Sequence, residues 1–396
     1  MAKLSETDQL DELIFSLKNV RDPRVAGRTR HLLIDILVLT VVAVLCGAEG
    51  VTEIEDFGHQ KEKFLRKHLE LPGGIPSHDT ITRVLSIINP ESFESAFASW
   101  VSRSLYAEKD DWISIDGKSV NGTERNSIRG ARPLHLVSAY SHTSGLSLCQ
   151  AESTTSGMAE KDAALKCLKQ LDLKGVTVTM DAGLNNRQII DHILENDGHY
   201  LTPVKKNHRS ALRLLSELFT SNGGETATIE EKVHGRSDTR SCSVIPAEKL
   251  FVTFSESFPA AVTAIQMTRT RIEKDKSLMT RTKEEDGRWR LEKNQAETKE
   301  TTSTVYYVSS QKISALEAIE WTRQHWGIEN KLHWILDIAF REDDWMVRAK
   351  SAARSLSVAR KIAFNLIKTS STRGSVRARM KRASWSDEFL EQLLIR

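Results

Sequence analysis

The stretch from Asp111 to Val204 constrains the fold more than any other part of the chain. "WISIDGKSV" alternates, with Trp112, Ser114 and Asp116 on one face and Ile113 and Ile115 on the other, the period-two signature of a strand that ends near Gly117. "LHLVSAYS" and "GLSLCQAE" follow, separated by "HTSG", which reads as a hairpin turn. A helical pattern at about 158–171 comes next, with Ala163, Ala164, Cys167, Leu168 and Leu171 on its inner side. "GVTVTMDAGLNN" supplies another apolar strand, a helix is expected around Asn186–Glu195, and "GHYLTPV" is a further strand. The order β-β-β-α-β-α-β predicts an α/β chain with a mixed sheet and helices packed on it.

Asp116 and Asp181 each stand where a strand runs out. If those strands are neighbours, the two carboxylates converge at one sheet edge, where their repulsion calls for a neutralising cation. Oxygen-only ligands select magnesium or manganese over zinc. An ordinary aspartate ending a strand is the plainer reading of either residue alone. A third carboxylate comes from "WTRQHWGIENKLHWILDIAFREDDW" at 321–345, where His325, Glu329, His333 and Asp337 recur every four residues. On a helix this polar stripe stays on one side, next to an apolar stripe of Ile328, Leu332, Ile335 and Leu336. Its plain reading is a solvated amphipathic helix. His325, Glu329 and His333 also have a spacing that a zinc hydrolase permits, although HExxH is absent and the aspartates are then unexplained.

The remaining sequence sets the surroundings. With 396 residues the chain buries a sizeable core and is expected to divide into two or three domains. Its first 110 residues read as helical: about Glu6 to Lys18, an apolar helix of about 31–47 ending at Gly47, and amphipathic helices after Gly50. Ser77 and Asn89-Pro90 are helix starts, and the two short helices they open fit either a helix-turn-helix or a plain bundle. The run Ile36 to Cys46 is far too short for a bilayer, and no signal peptide is expected. Four scattered cysteines, Cys46, Cys149, Cys167 and Cys242, indicate neither a disulfide framework nor a zinc ribbon. Between about 210 and 305, "HGRSDTRSCSVIP", "LFVTFSESF" and "TSTVYYVSS" read as strands around a densely charged ribbon. From Arg341 to Arg382 twelve basic residues stand against three acidic ones, a local charge of +9 in a chain whose net charge is +3. This segment is either a solvated basic face or a DNA-backbone surface, with Arg377, Arg379, Lys381 and Arg382 as its candidates.

In combination, "SIDGKSVNGT", "TMDAGLNN", "HGRSDTR", "YYVSS" and "RQHWGIENKLHWILDIAFRED" resemble the DDE-class transposases of bacterial insertion sequences, of the ISAs-type, H-repeat-associated (Rhs-linked) group. "DPR", "GGIPSHDTITRVLSIINPESFESAF" and "ARKIAFNLIK" extend the resemblance over nearly the whole chain. It implies an RNase H-like mixed-sheet catalytic core at 111–370 with a β-rich insertion at about 210–305. An all-helical N-terminal domain, 1–110, would precede that core, and a basic tail with a short helix, 371–396, would follow it. It also implies catalytic and metal-binding roles for Asp116, Asp181 and Glu329, with two Mg2+ or Mn2+ ions. The expected activity is metal-dependent cleavage at transposon ends and strand transfer into target DNA. The implied partners are terminal inverted repeats, target DNA and a second copy of the chain, in a bacterial cytoplasm, at the nucleoid and without a membrane. Lys118, His325 and His333 are candidate phosphate contacts. The chain departs from the broader superfamily at Thr322, His325 and Leu336, and from its nearer relatives at Gly183–Asn186 and Lys205–His208. A degenerate copy that binds DNA without cleaving it is therefore the alternative.

Overall fold

The computed structural model describes residues 9–25, 27–105, 111–123, 133–153, 159–221, 223–233, 236–247, 257–274, 279–284, 288–293, 298–345, 347 and 349–395. Six helices come first: α1 (Gln9–Leu17), α2 (Leu33–Leu45), α3 (Val51–Gln60), α4 (Glu62–Leu65), α5 (His78–Ile87) and α6 (Pro90–Trp100). Next come β1 (Trp112–Val120), β2 (Leu134–Ser141), β3 (Ser147–Ser153), α7 (Ala159–Leu168), β4 (Thr177–Met180), α8 (Arg187–Glu195), β5 (His199–Val204) and α9 (Arg209–Ser221). β6 (Glu225–Val233), β7 (Arg236–Pro246), β8 (Thr263–Lys274), β9 (Met279–Lys283), β10 (Trp289–Lys293) and β11 (Thr298–Ser309) follow. The last helices are α10 (Ala315–His325), α11 (Trp334–Ile338), α12 (Lys350–Thr369), α13 (Val376–Trp385) and α14 (Asp387–Leu394). The expected order from β1 to β5 is the observed one. The expected strand "LFVTFSESF" falls mostly on residues outside those described, as do the first three residues of the helix expected from Glu6.

The chain forms two compact units, one of Met1–Thr179, Asp191–Gly198 and Trp326–Arg396, the other of Met180–Ile190 and His199–His325. In the first, α2 is apolar on every side and buries all its residues except Ile34. Its one carboxylate, Asp35, accepts a hydrogen bond from the Leu71 amide at 2.8 Å, and burial pushes its pKa up. Caps set the neighbouring helices. The Ser77 hydroxyl accepts from the Thr80 amide to start α5, and the Asn89 side chain accepts from Glu91 and Ser92 to start α6. α2, α5 and α6 all pack on α12, a twenty-residue helix that is buried without a break from Ala352 to Ile367.

β1 pairs antiparallel with β2, which pairs antiparallel with β3, and α7 packs on β2 and β3. β4 lies on the other side of β1 and runs parallel to it. The Thr177 amide donates to the Asp111 carbonyl, and the Thr179 hydroxyl, two residues on, to the Ile113 carbonyl, also two residues on.

The second unit holds an antiparallel sheet in the order β5-β11-β8-β7-β6, with β9 and β10 as a separate hairpin. Alternation gives this sheet two unlike faces. One carries Cys242, Val244, Ile265 and Met267, all buried, and α10 packs on β6, β7 and β8. The other carries cross-strand hydroxyl pairs, Thr268 with Thr304 and Thr270 with Thr302, each 3.2 Å apart.

The segment 321–345 departs from the single regular helix its four-residue period predicts. α10 ends at His325, residues Glu329–His333 form a π turn, and only then does α11 begin. Ile328, Leu332 and Leu336 are buried as expected, so the apolar stripe survives. A π turn widens the helix locally and is met mostly where a functional side chain is re-aimed.

Candidate active site

β1 does not end near Gly117 as its alternation predicts but stays paired with β2 to Val120, so Asp116 sits in the middle of the strand, in register with Ser138. Gly117, the neighbour of Asp116, lies under the ends of two side chains: a Cβ there would stand 2.3 Å from a Glu160 carboxylate oxygen and 2.5 Å from His135, so both would have to move aside. The strand therefore passes Asp116 under close packing. His333, on the π turn, places Nδ1 3.8 Å from the Asp116 carboxylate. Burial first, then Lys361 and Lys118, push the His333 pKa down to about 3. The imidazole is thus neutral at ordinary pH. Glu329 opens the same π turn and is exposed, as are Trp326 before it and Trp334 after it in the sequence.

Lys118, also on β1, faces inward rather than outward. Its ammonium stands 2.7 Å from Asp337, 3.1 Å from Glu342 and 3.1 Å from Asp343. Burial alone would lower its pKa, but the three carboxylates outweigh it and raise it. Glu342 is 1 % exposed and takes a hydrogen bond from the Ser357 hydroxyl at 2.8 Å, with Arg360 3.8 Å away. Burial opposes its ionisation, yet Lys118, Lys361 and Arg360 hold its pKa down to about 2. Lys361 donates to Gln150 at 2.6 Å and to Ser357, and Gln150 donates to Glu94 at 3.0 Å. Arg354 binds Glu94 through Nε at 2.7 Å and Glu152 through Nη1 at 2.8 Å. The backbone closes over the cluster at Gly122, where a Cβ would meet the carbonyl oxygens of Trp345 and Asp343 at 2.6 and 2.8 Å.

In the second unit Asp181 follows β4 and lies 2.6 Å from the Lys205 ammonium. Burial raises its pKa, but Lys205 and the Ala182 amide together lower it. Asn207 steadies the turn by donating to the Ala182 carbonyl at 2.9 Å. His325, the last residue of α10, is close enough to feel both charges. Burial lowers its pKa to about 4, Asp181 opposes this and Lys205 adds to it. Tyr307, pushed up to about 12 by burial and by Asp181, lines the same place. Lys205 was missed by sequence reasoning. The available signal was its position directly after β5, the counterpart of Asp181 directly after β4.

The four C-terminal candidates divide. Arg377 and Lys381 are exposed on α13. Arg379 is buried, and its guanidinium donates to the carbonyls of Ile367 at 2.6 Å and Ser370 at 3.3 Å. Arg382 donates to the Arg373 carbonyl and lies over the Phe389 ring. Among the described residues no three His, Cys, Asp or Glu side chains stand in a group able to hold a metal ion. The chemistry of Asp116, Asp181 and Glu329, oxygen donors throughout, fits a hard divalent ion. No described helix is long and apolar enough to cross a membrane.

Two family descriptions match the chain: "DDE_Tnp_1-associated" over residues 14–101 and "Transposase DDE domain" over residues 108–366. Among curated proteins it is 32% identical to "Putative transposase YncI" of Escherichia coli O157:H7, over 97% of this chain and 95% of that one. It is also 32% identical to "H repeat-associated putative transposase YhhI" of Escherichia coli (strain K12), over 98% of each. Among solved structures it is similar to a piggyBac transposase synaptic complex with hairpin DNA, at 10% identity and a TM-score of 0.40, covering 98% of this chain and 78% of that one.

Proposed function

This chain belongs to the family of the transposase DDE domain, and from that premise we infer that it cleaves phosphodiester bonds at the ends of an insertion sequence and joins the freed 3′ ends to target DNA. In this reading the core is RNase H-like and Asp116, Asp181 and Glu329 are its acidic residues. One observation supports it above the rest: β4, the strand that runs into Asp181, lies parallel beside β1, the strand that carries Asp116.

Asp116, Asp181 and Glu329 would hold Mg2+ or Mn2+, two ions to a site. Such ions, when bound, supply charge stabilisation to the attacking and leaving oxygens of a phosphoryl transfer. The chain's own residues prepare for this. Lys205 keeps the Asp181 carboxyl ionised, so that no proton has to be removed before it ligates. His333 and His325, both held neutral, leave the negative charge of the aspartates beside them undiminished. Lys118 fixes β1 to α11 through Asp337 and to the segment that follows it through Glu342 and Asp343, which suits a positioning role better than a phosphate contact. The DNA partners are terminal inverted repeats and target, and joining two ends calls for two copies of the chain. Arg377 and Lys381 are the C-terminal cations placed to meet phosphate.

Asp116→Asn tests the assignment on an end-bearing duplex with Mg2+. Cleavage should be lost while duplex binding and thermal melting stay near wild type, because Ile113 and Ile115 keep β1 packed. Normal cleavage by the variant removes Asp116 from the mechanism, and duplex binding without cleavage by the wild type identifies a degenerate copy.

A further inference from the structure

The run "HGRSDTR" has no part in the site above. Its residues from Arg236 to Arg240 open β7, where Arg236, Asp238 and Arg240 take alternate positions and so share a face. The β8 register sets Arg271 opposite Asp238 and Arg269 opposite Arg240. Three guanidinium groups consequently meet one carboxylate. Arg269 binds Asp238 through Nη2 at 2.9 Å and Nε at 3.3 Å, Arg271 binds it through Nε at 2.9 Å, and Arg236 Nε stands 3.6 Å away. Two more arginines, Arg240 and Arg323, converge on Glu231 of β6 in the same way.

These five cations, held by Asp238 and Glu231 with Glu273 also acting on Arg271, lie beyond the apolar half of the face on which α10 packs. Asp238 is 6 % exposed, but the side chains of Arg236, Arg269 and Arg271 are 45, 36 and 31 % exposed. Asp238 therefore orients the three from beneath without neutralising them. A guanidinium carries five N–H donors; Arg271 donates to Asp238 through Nε, and Arg236 stands 3.6 Å away without a hydrogen bond to it. Among the described residues no acceptor takes a hydrogen bond from the Nη groups of either. The neighbouring strand adds the exposed hydroxyls of Thr301 and Ser303 opposite Arg271 and Arg269. Rigid, exposed, unneutralised guanidinium groups beside hydroxyl donors complement a row of phosphates. α10 ties this strip to Asp181 within one unit, with Arg323 at the strip and His325 beside Asp181.

We propose that the strip of Arg236, Arg269 and Arg271 over Asp238, continued by Arg240 and Arg323, seats the phosphate backbone of duplex DNA. The inference rests on the transposase reading and assigns part of its DNA path to the β-rich insertion.

The test is binding of the full chain to a labelled duplex of unrelated sequence, measured over a range of salt concentrations. The double variant Arg269→Gln, Arg271→Gln should bind every duplex more weakly and flatten the log–log salt slope by about 0.9 for each phosphate it no longer neutralises. Arg236→Gln, the most exposed of the three, should flatten it by one such step and serves where the double variant does not fold. Unchanged affinity and slope in the arginine variants, with a wild type that binds DNA, overturns this inference and leaves the transposase reading standing. A wild type that binds no duplex overturns both. Variants that lose single-stranded RNA binding but keep duplex binding overturn the choice of partner.

Discussion

Lys118 and Asp238 are mirror images of one another. Each is one charge surrounded by three of the opposite sign: Lys118 by Asp337, Glu342 and Asp343, Asp238 by Arg236, Arg269 and Arg271. The two differ in what happens to the surplus. Around Lys118 the centre is buried, with Glu342 1 % exposed and Asp337 and Asp343 partly exposed, and α12 brings Arg360 and Lys361 to the carboxylates, so the protein itself balances three acids with three bases. Around Asp238 one further carboxylate, the exposed Glu273, acts on Arg271, and a surplus of positive charge stays at the surface. A buried imbalance is too costly to leave, whereas an exposed one is tolerated. Burial therefore separates a charge cluster that holds the fold together from one able to meet a partner.

The comparison breaks first at Glu342. Glu342→Ala leaves Lys118, Arg360 and Lys361 without the buried negative charge they share and should cost roughly 3–5 kcal/mol, against about 1 kcal/mol for Asp238→Ala, whose arginines turn to water. Urea unfolding of the two variants decides. Equal losses would end the distinction.

A second difference lies in acid and salt. Both carboxylates are held at about 2, from ordinary values of 4.5 for Glu342 and 3.8 for Asp238. Each stabilises the fold fully above its ordinary value and loses that contribution as the pH falls toward about 2. The part owed to Asp238 should shrink in high salt, since its arginines are exposed, while the part owed to Glu342 should not. Melting temperatures between pH 5 and 2.5, roughly the span set by the two pKa values, at low and high salt, measure both. A salt-independent Asp238→Asn effect would count against the contrast.

The smallest effects belong to α13, which repeats the comparison within a single helix. Arg379→Ala strips two carbonyls of their donor and should cost about 1–3 kcal/mol. Arg377→Glu and Lys381→Glu, on the exposed side, should stay within about 0.5 kcal/mol and show only as weaker DNA binding. A loss at Arg377 as large as that at Arg379 would show the two faces of α13 to be alike.

The same contrast explains what was legible in the sequence. Strand order, the apolar α2 and the caps at Ser77 and Asn89 were readable because their causes are local: alternation, unbroken hydrophobicity, a hydroxyl or amide at a helix start. The basic run from Arg341 to Arg382 was counted correctly yet could not be sorted by counting. Arg354 is neutralised by Glu94, 260 positions away, and Lys361 donates to Gln150, 211 positions away. Such partners are set by tertiary packing alone. Lys118 misled for the same reason, as a cation on a strand beside Asp116 whose acceptors lie more than two hundred residues on. The four-residue stripe through Glu329 failed differently. Side-chain period does not show that the backbone widens into a π turn, and the apolar positions that survive it hide the change.

The helix α12 also dictates when the chain can acquire its shape. The helices α2, α5 and α6 bury their apolar sides against it, so during synthesis their cover does not yet exist. Translation at about 5–20 residues per second puts an interval on the order of tens of seconds between the emergence of α6 and that of α12. Over that interval the apolar sides of these three helices lack the surface that covers them in the folded chain. A reading frame cut before residue 350 would leave them so permanently, making a truncated product of such an element a substrate for proteolysis instead of a competitor for DNA.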